Sequence, residues 1–194
     1  MAKNDPAVRR RLVGGAALMI SQRGVSRTSI REVAKFSGTP LGSTYHYFPN
    51  GKNQLIIEAI QMSGRFIEKQ LEKAFALGLE PGIRAFVQYW RDDAVKSDFR
   101  NGCPVLAVSV DEPADEDGYA ALDVAAETFA RWRALLADQL EKHGAPSAQA
   151  QSLATMIVAS IEGTVPMCRA QRSAEPLDHV EEQLLALIRM SIPA

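Results

Sequence analysis

Apolar residues recur every three or four positions along nearly the whole 194-residue chain, and this period constrains the fold more than any other feature. It predicts a first helix from Pro6 to Arg23 and a long helix from Lys52 to Leu77. The remaining predicted long helices lie around 83–94, 122–140, Pro146–Arg169 and Leu177–Ser191. The period therefore predicts an all-α fold.

One run departs from the helical pattern. The sequence VLAVSV, residues 105–110, has the composition of a β-strand. A single strand without a partner is not a stable structure, and no second strand is predicted. We therefore predict a short helix here, followed by an acidic loop.

The net charge of −1 hides a strong asymmetry. Residues 1–54 carry nine basic and two acidic side chains, a net charge of +7, whereas the rest carries 13 basic and 21 acidic side chains, a net charge of −8. A basic N-terminal part favours an anionic partner such as a nucleic acid, although a solvated run of charges is the alternative.

Two short helices inside this basic part form a predicted helix-turn-helix. Ser29 followed by Glu32 is a capping-box pattern for a helix that reaches Ser37. Gly38 and Thr39 form the turn, and a second helix runs from Pro40 to Tyr47. In such a motif the second helix enters the major groove of DNA.

The composition of the second helix agrees with this role. Gly42 and Ser43 have little bulk, so the helix backbone can approach base edges closely. Tyr45 and Tyr47 can contact a phosphate or a thymine methyl group, and Lys52 can contact a phosphate at the start of the next helix. The alternative is a packed aromatic cluster, which we expect for Phe48. Four consecutive aromatic residues cannot all face one side of a helix, because each residue turns by ~100°.

The stretch TSIREVAKFSGTPLGSTYHYFPNGKNQL resembles the DNA-binding signature of the TetR/AcrR family of bacterial transcriptional regulators, and GCPVLAVSVD further resembles its LmrA-like subgroup. The resemblance implies a homodimer in which each subunit has an N-terminal three-helix helix-turn-helix domain, residues 1–51. A larger helical domain, residues 52–194, then serves ligand binding and dimerisation.

The resemblance also implies the residues that contact DNA. They are Arg31, Thr39, Gly42, Ser43, Tyr45, His46, Tyr47 and Lys52. Two positions depart from the family pattern: Leu41 stands where many members have lysine, and Thr44 stands where leucine is usual. Leu41 removes one phosphate or guanine contact and could instead meet a thymine methyl group, so the operator sequence cannot be taken from that of a relative.

A group of aromatic, sulfur-containing and polar residues on the later helices is the predicted effector site, although such stripes more often form core. The predicted residues are Phe66, Phe86, Tyr89, Trp90, Cys103, Phe129, Trp132, Met156, Ser160, Glu162 and Met167. Glu162 is the expected polar anchor for a cationic ligand; an internal pair with Arg169, or an exposed position, is the alternative. Cys103 near Arg100 is either a redox sensor or a small buried apolar residue.

The family resemblance implies dimerisation through the last two long helices, packed as a four-helix bundle. The predicted interface residues are Leu153, Ile157, Ile161, Leu184, Leu187 and Ile188. His143 and His179 are isolated, so no metal site and no cofactor is predicted. Two cysteines and the absence of a convincing signal peptide or spanning segment predict a cytoplasmic protein.

We therefore expect a ligand-responsive regulator, a repressor, that binds a palindromic DNA operator as a homodimer and leaves it when a small, mostly apolar effector binds. An enzyme is not expected, because no nucleophile–base pair or metal set has a recognisable spacing. A helical adaptor protein that never contacts DNA is the second alternative.

Overall fold

The computed structural model of the protein describes residues 5–113 and 116–192. Nine helices and no strand occur within these residues, which confirms the all-α prediction. The helices are α1 (Pro6–Arg23), α2 (Ile30–Phe36), α3 (Leu41–Tyr47), α4 (Gly51–Phe75), α5 (Leu79–Lys96), α6 (Pro104–Ser109), α7 (Glu116–Lys142), α8 (Ser147–Gln171) and α9 (Glu175–Ser191).

The starts of α1 and α2 follow from local capping. The Asp5 side chain accepts a hydrogen bond from the backbone N–H of Ala7 at 2.8 Å, and proline occupies the first turn of α1. The Glu32 backbone N–H donates to Ser29 Oγ at 3.2 Å, and the Ser29 hydroxyl donates to the Glu32 carboxylate at 3.0 Å. The predicted capping pattern is therefore confirmed.

The VLAVSV run is helical, as predicted. Cys103 is the N-cap of α6 and Pro104 begins the helix. Val105 and Val108 are buried, so the strand-like composition reflects burial and not an extended backbone. Of the acidic segment that follows, residues 114 and 115 lie outside the described residues.

The chain packs as two compact units, Met1–Arg65 with Cys103–Thr128 and Phe66–Gly102 with Phe129–Ala194. Packing thus groups α6 and the first part of α7 with the N-terminal helices. A packing unit need not coincide with a functional domain, so the predicted domain boundary after residue 51 stays a prediction.

Each unit has its own apolar core. In the first unit α1 packs on α2 and on α6, and α2 packs on α3. In the second unit α9 packs on α8 and on α5, and α5 also packs on α8. Fully buried large side chains of the first unit include Leu12, Ile20, Phe48, Leu55 and Ile60, and those of the second include Leu136, Leu140, Ile157, Ile161 and Leu177.

Arginine–carboxylate pairs run along the contact between α5 and α9. Arg189 of α9 donates to both carboxylate oxygens of Glu80, at 2.7 and 2.5 Å, and Arg84 donates to Glu181 at 2.7 Å. Arg91 pairs with Asp178 further along the two helices. The bond from Arg189 holds the pKa of the Glu80 carboxyl below its usual range.

Candidate nucleic-acid interface and effector site

The turn between α2 and α3 is fixed by hydrogen bonds from two directions. The Thr39 backbone N–H donates to the Ala34 carbonyl at 2.9 Å, which requires the left-handed backbone of Gly38, with φ of 61°. Arg11 of α1 donates from Nε to the Ser37 carbonyl at 2.9 Å. These bonds hold α2 and α3 in the arrangement of a helix-turn-helix.

The inner side of α3 rests on Thr44 and Phe48, which are both fully buried. The Thr44 hydroxyl donates to the Pro40 carbonyl at 3.2 Å, so its polar atom has a partner inside the core. The departure from leucine at position 44 therefore leaves the inner side of the helix packed. Phe48 lies in the core, as predicted.

The outer side of α3 is exposed and consists of predicted DNA-contacting residues. Gly42, Ser43 and His46 are exposed, and Tyr45 is 54% exposed. A Cβ atom added at Gly42 would meet nothing within 4 Å. Neither the fold nor a backbone angle requires glycine there, although glycine weakens a helix relative to alanine.

The other predicted DNA-contacting residues lie around α3. Arg31 is exposed, whereas Thr39 is buried, with its hydroxyl 3.4 Å from the Ser37 carbonyl. The Tyr47 hydroxyl accepts a hydrogen bond from the Asp5 backbone N–H at 3.0 Å, and its own hydrogen is still available to an acceptor. Lys52 is half-buried and lines a cleft of about 360 Å³ together with acidic residues that include Asp111.

Sequence reasoning missed the basic residues of α1 that support this surface. Arg9 and Arg11 were counted only as positive charges. Arg11 holds the end of α2 as described above, and Arg9 pairs with Glu58 of α4 at 2.5 Å. No sequence signal links Arg9 to a residue 49 positions away, because only the tertiary packing brings them together.

The predicted effector residues of the second unit form two groups of aromatic rings. The Tyr89 ring lies 5.9 Å from Phe66 and 5.4 Å from Trp90, whose ring in turn lies 6.4 Å from Phe86. Phe129 and Trp132 form an edge-on pair at 5.4 Å. Trp90, Phe86 and Trp132 are buried, whereas Phe66 is about half exposed.

Two buried side chains of this unit carry polar atoms. Glu162 on α8 is buried, so its predicted exposure as an alternative does not apply. The indole N–H of Trp90 on α5 is buried and has no hydrogen-bond partner among the described residues. Helices α5 and α8, which carry these two residues, pack together. A buried unpaired donor costs about 1–3 kcal/mol, and a ligand with an acceptor atom would recover this energy.

The remaining predicted effector residues lie elsewhere. Met156 and Met167 of α8 are 48% and 51% exposed, and Ser160 is half-buried. Cys103 is buried and belongs to the first unit. The second cysteine, Cys168, is buried as well, and burial raises the pKa of its thiol.

The predicted dimer-interface residues are for the most part buried within the single subunit. Side chains that are already buried have little surface left for a partner, so the apolar stripe of α8 and α9 describes how these helices pack inside the subunit. The buried ones are Leu153, Ile157, Ile161, Leu184 and Ile188. Only Leu187 is half-buried.

Neither a metal site nor a membrane-spanning helix is found within residues 5–113 and 116–192. No group of three or more metal-binding side chains comes together there. No helix in the same residues combines the length and the apolar character that a bilayer crossing requires.

Two family models match the sequence. Residues 12–59 match the model of bacterial regulatory proteins of the tetR family. Residues 81–183 match the model of the C-terminal domain of LmrA/YxaF-like transcriptional regulators. The first match covers α2 and α3, and the second covers most of the helices that follow α4.

Similar proteins match this chain over nearly their full length. The HTH-type transcriptional regulator Rv0196 of Mycobacterium tuberculosis (strain ATCC 25618 / H37Rv) is 37% identical over 188 residues, which cover 95% of this chain and 96% of that protein. The HTH-type transcriptional regulator YxaF of Bacillus subtilis (strain 168) is 27% identical, with coverage of 93% and 95%. The crystal structure of a regulatory protein TetR from Rhodobacter sphaeroides has the same fold, with a TM-score of 0.80. Its sequence is 22% identical, and the match covers 94% of this chain and 97% of that one.

Proposed function

The chain belongs to the TetR family of DNA-binding transcriptional regulators, in its LmrA/YxaF-like group, and we propose that it is a homodimeric repressor that leaves a palindromic operator when a small, mostly apolar effector binds. Members of this family are regulators and not enzymes. Since bacterial promoters lie in the cytoplasm, we propose that the protein acts there.

The outer side of α3 carries the DNA-binding part of the proposal. Its residues are exposed, so they do not contribute to the core of the subunit, and they lie on the more basic part of the chain. We propose that base edges and phosphates are contacted by Arg31, Gly42, Ser43, Tyr45, His46, Tyr47 and Lys52. Thr39 is buried, so we assign its side chain to the turn before α3.

Binding to a fragment of the gene's own upstream region tests this part. We expect a DNase footprint with two symmetric halves and a steep loss of affinity as salt rises, because several phosphate contacts release counterions. Tyr45→Ala should weaken binding about tenfold or more, a loss of ~1.4 kcal/mol. Phe36→Ala is the matched control, since Phe36 on α2 is an equally exposed aromatic residue, and it should leave affinity within about twofold. Equal losses in both variants would contradict the assignment of α3 to the DNA.

The second part of the proposal is a dimer formed by the outer sides of α8 and α9. Three exposed methionines, Met156, Met167 and Met190, lie on these helices. Between the first two, Ala159 and Gly163 are exposed at helical spacing, and a Cβ atom at Gly163 would meet nothing within 4 Å. Small residues let two helices approach closely, and unbranched methionines adapt to a partner's surface.

An arginine placed on this surface tests the dimer. Ala159→Arg should convert a dimer into a monomer in sedimentation velocity, since an isologous interface meets the new charge twice. Ala120→Arg, at an exposed alanine of α7, is the control and should leave the dimer intact. If wild-type protein sediments as a monomer at all concentrations, or if Ala159→Arg remains dimeric, the proposed interface fails.

The third part is an effector site around Trp90. Aromatic rings and a buried carboxylate on α5 and α8 would receive an aromatic ligand, and the buried Trp90 N–H would donate to its acceptor atom. This adds a polar requirement to the expected apolar effector. Glu162 would favour a ligand that also carries a hydrogen-bond donor or a positive charge.

A compound screen with two tryptophan variants tests the site. Apolar and cationic aromatic compounds are titrated into the complex with a fluorescent operator, and release is followed by anisotropy. Trp90→Phe should raise the compound concentration needed for half-maximal release by about 2- to 12-fold, which corresponds to the ~0.5–1.5 kcal/mol of one net hydrogen bond. Operator affinity without the compound should not change. Trp132→Phe, at the other buried tryptophan, should change release less. The reverse order of effects would refute the role of Trp90.

The last part is the coupling between the two activities. An effector that binds the released state ~100-fold better shifts the equilibrium by ~2.7 kcal/mol, enough to dissociate a marginal operator complex. The long helix α4 is continuous from Gly51, next to the DNA-binding residues, to Phe75, beyond Phe66. We propose that it transmits the effect. A compound that binds the protein but leaves operator affinity unchanged would contradict this coupling.

A further inference from the structure

Arg9 of α1 contacts the end of the recognition helix, as we call α3 from here on, and the helix that follows it. Its Nη2 donates to Glu58 Oε1 of α4 at 2.5 Å. Its Cζ lies 5.5 Å from the centroid of the Phe48 ring, the residue that ends α3. One guanidinium group therefore bridges the start of the chain, the end of α3 and the second turn of α4.

The bridge continues into the turn that joins α3 to α4. Glu58 Oε1 also accepts a hydrogen bond from Gln54 Nε2 at 3.1 Å. Gln54 Oε1 in turn accepts from the backbone N–H of Asn50 at 3.1 Å, and Asn50 lies in the turn before Gly51. A continuous set of hydrogen bonds thus links Arg9 to the backbone that carries the recognition helix.

The recognition helix depends on such external support. α3 has only seven residues, and helices shorter than ~12–15 residues are marginal on their own. Its inner side is held by the buried side chains of Thr44 and Phe48. An arginine over an aromatic ring is attracted to the negative face of the ring, and more strongly where the pair is desolvated. The Glu58 side chain is only 18% exposed, so this end of the ion pair is shielded from solvent.

We propose that Arg9 is a positioning residue for DNA binding, which fixes the end of the recognition helix through Glu58 and Phe48 and does not itself bind the operator. The rival role is a direct phosphate contact, since Arg9 is 46% exposed and carries a positive charge. The inference rests on the DNA-binding activity of the family and not on effector release.

Charge exchange separates the two roles. Arg9→Glu and Glu58→Arg each place two like charges in contact and should weaken operator binding by about tenfold or more. The double variant restores an ion pair of opposite polarity and should recover to within about threefold of wild type. A phosphate-contacting arginine would not be recovered in this way, because the double variant still lacks a positive charge at position 9.

Salt and sequence dependence supply a second readout. The probes are the footprinted upstream fragment and a random duplex of equal length, measured by anisotropy with the full-length dimer. Arg9→Met should lower affinity for the upstream fragment about tenfold and for the random duplex less than about twofold, with the slope of log affinity against log salt unchanged. Arg10→Met, at the adjacent exposed arginine, is the matched control and should not change the ratio between the two probes.

Several outcomes would overturn the proposal. One is an equal loss for both duplexes with a salt slope smaller by about 0.9, the signature of one lost phosphate contact. Another is unchanged operator affinity in Arg9→Met. A third is a folded double variant, checked by circular dichroism and melting temperature, that does not recover. Should Arg9→Met unfold, Glu58→Gln separates the two roles, because it removes the charge that pairs with Arg9 and leaves Arg9 able to reach a phosphate, so that only the positioning role predicts weaker operator binding.

Discussion

Replacing Gly42 by alanine separates the needs of the fold from the needs of DNA binding. Gly42 lies inside α3 with a helical backbone, and an added Cβ meets no atom of the protein within 4 Å. Alanine in a helix interior is more favourable than glycine by roughly 0.5–1 kcal/mol. Because nothing opposes the new methyl group, Gly42→Ala should stabilise the free protein, by up to this amount since Gly42 is the second residue of α3.

The same substitution should weaken operator binding. If the backbone at Gly42 lies in van der Waals contact with base edges, at about 3.5–4 Å, a methyl group cannot fit without displacing the helix. Loss of one close contact of ~1.4 kcal/mol per subunit is tenfold in affinity, and a dimer that loses it twice is weakened about hundredfold. The salt dependence should not change, because no charge is removed.

Urea denaturation measures the first effect, and anisotropy titration of the upstream fragment measures the second. Ser43→Ala is the control for the stability measurement alone, because it raises helix propensity at the neighbouring exposed position without adding bulk, whereas Ser43 is itself a proposed DNA contact. A Gly42→Ala protein that is more stable and binds the operator as tightly as wild type would refute the reasoning. So would a destabilised variant, since it would show that the methyl group meets the protein itself.

Two further predictions concern the stability of the second and the first unit. In the second unit the bond from Arg189 lowers the pKa of Glu80, so the pair stabilises the fold above the ordinary glutamate pKa of about 4.3, and this stabilisation is lost as pH falls through the lower folded pKa. Urea midpoints should show that Glu80→Gln costs stability at pH 7 and progressively less as pH falls below about 4.3, with Glu182→Gln as control. A difference independent of pH would contradict the pair's role. In the first unit a Cβ at Gly64 would lie 2.6 Å from Thr128 Cγ2, so Gly64→Ala should lower the free energy of unfolding by about 1–3 kcal/mol. Adding Thr128→Ser, which removes that methyl group, should recover most of the loss. An unchanged stability of Gly64→Ala would show that α4 and α7 move apart at this contact.

Local features of the sequence predicted much of the fold. Caps, glycines and the apolar period placed α1, the capped start of α2 and the end of α3 to within a residue or two. The helical state of α6 followed from a negative argument, the lack of a partner strand. These predictions succeeded because each depends on neighbours within a few residues along the chain.

The candidate DNA-binding surface was predicted in part, for the same reason. Exposed Gly42, Ser43, Tyr45 and His46 lie together on one short helix, so a local motif identifies them. The support behind them was not predicted. The contact of Arg9 with Glu58 depends on how α1 crosses α4, and charge counting treats every arginine of the basic segment alike.

Helix α8 shows why the faces of the second unit were harder to assign. It carries apolar or small residues on two sides, Leu153 and Ile157 inward and Met156 and Ala159 outward, so a 3.6-residue period cannot say which side meets its own subunit. Side-chain shape does distinguish them. The branched residues fill the fixed space between packed helices, whereas the unbranched methionines and the small residues lie on the side left exposed. A partner subunit would cover an exposed side of this kind, which is why the proposed dimer uses the outward residues and not the inward ones expected from the family resemblance.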